Sequence, residues 1–314
     1  MPATRSSRTI GIALLVLILA GAAAAAQPPR RAAVLVVTGA VPGAIVAIDG
    51  IRFGRTDANG TRRIETAGPG RHSVRIRQVG FRDDVQPAVL VAGATVKIRA
   101  KQVPATDKAE LAFLNADNLA FDGKHTEAVA LYKDAIAARN GKYVLAQIGL
   151  ARSLLALKEL DDAAEAVAAV IASDPANAEA RTVSANILRE RGFYDEAAAE
   201  YRKAIALSRT RVPEAHTGLA ISLGDQGSLA PSAAEFTKAI AQNLDAEPLL
   251  YQLRGNVYER LQRPAQALAD YMRFLALAPT HPLAPAVQSV VERLKAETKA
   301  PVDDTDVNPY APKP

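Results

Sequence analysis

Two rhythms of hydrophobic and polar positions divide the chain. Between Ala33 and Val103 the apolar residues fall into short β-branched runs: Val34 to Val37, Ile45 to Ile48, Val74 to Ile76 and Val96 to Ile98. The last two alternate with Arg75, Arg77, Lys97 and Arg99. A period of two marks a strand with one buried face, so Val74, Ile76, Val96 and Ile98 are predicted to point inward and the cations outward. Turn dipeptides punctuate the runs at Pro42-Gly43, Asp49-Gly50, Asn59-Gly60 and Pro69-Gly70. Asp-Gly and Asn-Gly favour type I′ hairpins, which need positive φ at both central residues. The expectation is a small all-β sandwich over residues 33–103.

Further along, the period lengthens to that of a helix and the pattern repeats. Ala128, Ala163, Ala197, Ser232 and Ala267 stand 35, 34, 35 and 35 residues apart, and four residues after each comes Tyr132, Val167, Tyr201, Phe236 or Tyr271. Twelve residues before the same series lie Ala116, Ala151, Ala185, Ala220 and Gly255, with Leu119, Leu154, Leu188, Leu223 and Tyr258 three later. These offsets predict two amphipathic helices per unit and about five units over residues 109–281. Small residues let neighbouring helices approach, and the large ring then fills the space between units. After the last unit, Val287, Val290, Val291 and Leu294 share one face of a further helix over residues 283–299, the cap that a stack of helix pairs needs. From residue 300 to 314 Pro and Asp dominate, which predicts a disordered tail.

Charge and the chain start add compartment and rule out some chemistry. Arg5 and Arg8 precede an apolar run that passes into the alanines ending at Ala26, the order of a secretory signal peptide over residues 1–26. An uncleaved inner-membrane anchor is the alternative. The expected compartment is the periplasm. Cys is absent, which excludes disulfides, thiolate metal ligands and a thiol nucleophile. The formal charge of +5 is uneven, because from residue 104 onward acids outnumber bases, so the excess is poor evidence for nucleic-acid binding.

Both regions resemble known families. Pro42-Gly43-Ala44, Ile48-Asp49-Gly50, the stretch Gly54 to Gly60 and Gly68-Pro69-Gly70-Arg71-His72-Ser73-Val74 resemble a PEGA or carboxypeptidase regulatory-like domain. That resemblance implies a non-catalytic β module, a spacer or a binding unit. The helical units resemble the tetratricopeptide repeat (TPR), although Ala112, Gln147, Arg181, His216 and Tyr251 replace the family's early Trp. The resemblance implies a solenoid whose concave groove takes a protein or peptide partner. By position it selects Phe113, Phe121, Ile148, Arg152 and Leu155 at one end, and Asn186, Arg189, Glu190, Gln252, Asn256, Glu259 and Arg260 at the other. A carboxylate clamp is matched only in part, with Asn186 present and Thr182 where a Lys is wanted.

No catalytic constellation is visible: there is no nucleophile elbow, zinc-binding H-E-x-x-H, P-loop or dinucleotide fingerprint. No cofactor or metal is expected, and Asp303, Asp304 and Asp306 lack a second ligand group nearby. If the strands around Val74 and Val96 are neighbours, Arg75, Arg77, Lys97, Arg99 and Lys101 form one basic face, either solvated or attracting an anionic envelope component. The sequence therefore describes an exported, non-enzymatic adaptor that binds a protein in its groove and is positioned in the cell envelope by its β domain. The alternative is a glycan- or anionic-lipid-binding protein that acts through the β domain.

Overall fold

The computed structural model describes residues 33–208, 210–243 and 245–299. The expected signal peptide and acidic tail lie outside them. Seven strands are followed by eleven helices among these residues.

The strands are β1 (Ala33–Thr38), β2 (Ile45–Ile48), β3 (Ile51–Arg55), β4 (Arg62–Ala67), β5 (Gly70–Arg77), β6 (Asp84–Leu90) and β7 (Thr95–Arg99). They form two sheets, one ordered β4-β1-β7 and the other β3-β2-β5-β6, with β1 and β7 parallel. Leu35, Val37, Val46, Ile48, Val74, Ile76 and Leu90 fill the space between the sheets and are almost wholly buried. This is the all-β sandwich.

Asp49-Gly50 makes the β2–β3 hairpin with positive φ at both residues, 51° and 85°, as a type I′ turn requires. Asn59-Gly60 does not make a hairpin. It carries the chain from β3 in one sheet to β4 in the other, with Asp57 Oδ1 accepting the Asn59 and Thr61 amides. Gly60 is required there for a different reason: a Cβ would lie 1.8 Å from the Ala40 carbonyl oxygen. Strands β5 and β7 also fall in different sheets, so Arg75 and Arg77 share no face with Lys97 and Arg99.

The helices pair as α1 (Lys108–Phe121) with α2 (His125–Ala137), α3 (Val144–Ala156) with α4 (Leu160–Ser173), and α5 (Ala178–Glu190) with α6 (Tyr194–Leu207). Next come α7 (Pro213–Asp225) with α8 (Leu229–Asn243), α9 (Leu249–Arg260) with α10 (Pro264–Leu277), and last α11 (Ala284–Lys299). Every small residue of the two series is buried, and Tyr132, Val167, Tyr201, Phe236 and Tyr271 are at most 2% exposed. Where Ser232 replaces Ala, its hydroxyl donates to the Ala220 carbonyl at 2.6 Å, so the polar atom is satisfied in the core. Val287, Val291 and Leu294 of α11 close the stack against Tyr271 and Phe274. No helix among the described residues is long and apolar enough to cross a membrane.

Candidate functional site

The first helices of successive pairs pack on one another, α1 on α3, α3 on α5 and α5 on α7, and line the inner face of the solenoid, with the β module against its first turn. The joint is fixed by three sets of contacts, one of them Asp49 of the β2–β3 hairpin, which pairs with Arg211 just ahead of α7 at 3.4 Å. The connecting segment folds back on the β module through the Phe81–Pro104 bridge and the Ala105 amide to the Gly80 carbonyl, while the Ala105 side chain enters the solenoid core. On the other side a row of arginines crosses to α1. Arg52 and Arg77 each bind one oxygen of Asp117 at 2.7 Å, and Arg77 also binds Asp83. Arg55 donates to Asn118 and Asp122, and both Arg52 and Arg55 lie over the Phe121 ring, with Arg77 over Phe113.

Burial alone would push the Asp117 carboxyl up, but Arg52 and Arg77 outweigh it and hold the pKa below the usual carboxylate range. Burial likewise opposes the charge of Arg77, yet Asp83 and Asp117 raise its pKa above the ordinary guanidinium value. Both side chains are nearly buried, 11% and 10% exposed, so the pair is one whose disruption strands a charge.

The residues selected from sequence therefore divide. Phe113 and Ile148 are buried, Phe121 is covered by arginines, and Arg152 is held bidentately by Glu214 at 2.8 and 2.7 Å. Asn186 donates to the same Glu214 and accepts the Tyr201 hydroxyl at 2.5 Å. Asn256 accepts the Tyr271 hydroxyl at 2.8 Å and the Gln252 amide at 3.1 Å. Asn256 and Arg260 are exposed, while Gln252 and Arg189 are half-buried, so the far end of the inner face remains open. Of the cations, Arg77 is spent on the joint and Arg75 lies 3.6 Å from Asp83. Lys97, Arg99 and Lys101 are exposed.

Sequence reasoning missed Asp117, Asp122, Arg52, Arg55 and Glu214. One signal was available. Asp117, Arg152, Asn186, Ile221 and Asn256 occupy the same position of successive units, so Asp117 belonged in the series that supplied three of the selected residues.

Family models of the tetratricopeptide repeat match residues 122–187 and 249–281. The helical region is built of TPR repeats. A thermophilic TPR protein of Thermus thermophilus superposes with a TM-score of 0.51 at 18% identity, over 60% of this chain and 99% of that one. PilW, a type IV pilus biogenesis factor, gives 0.52 at 17% identity over 64% and 97%. The Cut9-Hcn1 hetero-tetramer of APC/C gives 0.54 at 14% identity over 59% of this chain, which spans 36% of that one. At these identities the likeness is one of fold. No curated protein matches significantly. The TPR fold is a scaffold for protein interaction, and here its first repeat already holds the chain's own β module.

Proposed function

We propose that the chain is an exported, non-enzymatic TPR scaffold that captures a protein partner on the open part of its inner face, with a PEGA-like β domain setting its place in the periplasm. The observation that carries this reading is the division of the groove. Arg52, Arg55 and Arg77 occupy the inner face of the first repeat, whereas on the fifth Asn256 and Arg260 are exposed, Gln252 is half-buried and no other domain among the described residues covers them. Such a surface suits an extended or helical segment of a partner.

Substitution must spare the tyrosine anchors. Asn186 and Asn256 hold Tyr201 and Tyr271, so replacing them tests stability and binding together. Gln252→Ala with Arg260→Glu leaves both tyrosines bonded. A photocrosslinker at Glu247, exposed just ahead of α9, should capture a defined partner in intact cells, and the double variant should abolish that product. Capture that persists in the variant refutes groove binding.

The exposed Lys97, Arg99 and Lys101, which form no ion pair among the described residues, favour a second reading in which the β domain contacts an anionic lipid or glycan. Cosedimentation with anionic vesicles at two salt concentrations, lost on changing the three to Gln, supports it. Absence of sedimentation at low salt removes it.

A further inference from the structure

Behind the arginines lies a chamber of about 440 Å³, roofed by β2 and β5 and floored by α1 and α3. Ile45, Ala47, Phe113 and Ile148 supply its apolar lining. Its charges are largely spent on one another, Arg77 on Asp117 in the interior and Arg152 on Glu214 at the more exposed rim. Three further polar groups remain. Ser153, 1% exposed, has its hydroxyl buried without a hydrogen-bond partner, as is the Nδ1 of His125, and the Tyr132 hydroxyl makes no hydrogen bond among the described residues.

The free tyrosine has a structural cause. Tyr201 and Tyr271 each donate to an asparagine fifteen residues earlier, Asn186 and Asn256. The residue fifteen before Tyr132 is Asp117, whose two oxygens are taken by Arg52 and Arg77. The β module thus both walls one side of the chamber and frees a hydroxyl within it. Unpaired buried polar groups are uncommon in native proteins and cost free energy unless something fills the space beside them.

We propose that this chamber binds a small neutral ligand carrying an amide on an apolar frame. The amide oxygen accepts from the Tyr132 or Ser153 hydroxyl, the imidazole of His125 completes the polar set, and the attached methyl or methylene lies against Phe113 and Ile148. Beside Tyr132 and Ser153 a charged ligand would lose its hydration, and the buried charges nearest it, Arg77 and Asp117, are already paired. Domain junctions are common places for such sites. The site is separate from the open surface of the fifth repeat.

An acetamido sugar and a peptide main chain both carry this chemistry. Titration of the full chain with N-acetylglucosamine and, separately, with N-acetylalanine N-methylamide, followed by saturation-transfer NMR and calorimetry, distinguishes them. Saturable binding of one probe at millimolar concentration identifies the source, and acetate should not bind. Tyr132→Phe should weaken the bound probe about tenfold, the equivalent of one good hydrogen bond. Tyr201→Phe, outside the chamber, should leave affinity unchanged. Tyr132→Phe removes an unbonded hydroxyl and keeps the ring in place, so folding is retained, and Ser153→Ala gives an independent second variant. Failure of both amides to saturate, or wild-type affinity in both chamber variants, overturns the proposal and assigns the three groups to water.

Discussion

On the inner face of the first repeat, Asp117 is buried between Arg52 and Arg77; at the same position of the fifth repeat, Asn256 is exposed and accepts the hydroxyl of Tyr271. The scaffold around them is alike: a buried small residue beside each, and a tyrosine from the second helix packed behind. The difference lies in charge. A carboxylate recruits guanidinium groups from another domain, whereas an amide can satisfy its own repeat's tyrosine and leave the surface free. One position in a repeat thus decides whether that turn of the solenoid is closed by the chain itself or left open.

Removing the carboxylate should break the comparison most severely. Asp117→Ala leaves Arg77 buried and short of a partner, at an expected cost of about 3 kcal/mol. Denaturant unfolding should show that loss, with hydrogen exchange accelerating in β2, β3 and β5 while the fifth repeat stays protected. Next in size are the glycines facing the tyrosines. A Cβ at Gly218 would lie 2.2 Å from the Tyr201 ring, and one at Gly149 would lie 2.4 Å from that of Tyr132. Overpacking should cost Gly218→Ala about 2 kcal/mol, because Tyr201 is also tethered to Asn186. Gly149→Ala should cost less, since the Tyr132 hydroxyl is unbonded and the ring can shift; thermal melts of the pair give the order.

Smaller again is the loss of a single hydroxyl. Tyr201→Phe should destabilise by about 1 kcal/mol and Tyr132→Phe by nearly nothing, as read from denaturation midpoints. Ionisation should not separate the two, since burial pushes the Tyr201 hydroxyl up to about 12 and raises that of Tyr132 as well, leaving both silent in an ultraviolet titration at ordinary alkaline pH. Mild acid should do least. Asp117 has its pKa lowered in the folded state, so its contribution is fully present above the ordinary carboxylate value of about 3.9 and disappears as pH falls through the lower folded value. The joint should therefore be unchanged between neutrality and about pH 5, and loosen only in stronger acid.

The repeats were legible because their spacing reports packing directly: the small and ring positions buried in one unit are buried in all. Asp49-Gly50 was legible as a hairpin because its backbone requirement is local. Asn59-Gly60 carries the same local signal yet joins two sheets, since turn chemistry does not say where the following strand pairs. The single basic face failed for the same reason, because alternation along β5 and β7 fixes which residues point out and not which strand lies alongside. The domain joint was hidden most deeply. Arg52 and Asp117 are 65 residues apart, and the pattern of neither region records what sits across from it. An arginine row on a strand looks solvated until the acid facing it is known.

The central claim is that the β module is held fast on the first repeat by the arginines around Asp117. The chain has no cysteine, so spin labels at introduced cysteines Lys97→Cys on β7 and Glu165→Cys on α4 report one distance between the two regions. Pulsed electron resonance should give a single narrow distribution in the parent chain and a broad one when Asp117→Lys is added. A broad distribution in the parent, or a narrow one that survives Asp117→Lys, would contradict it.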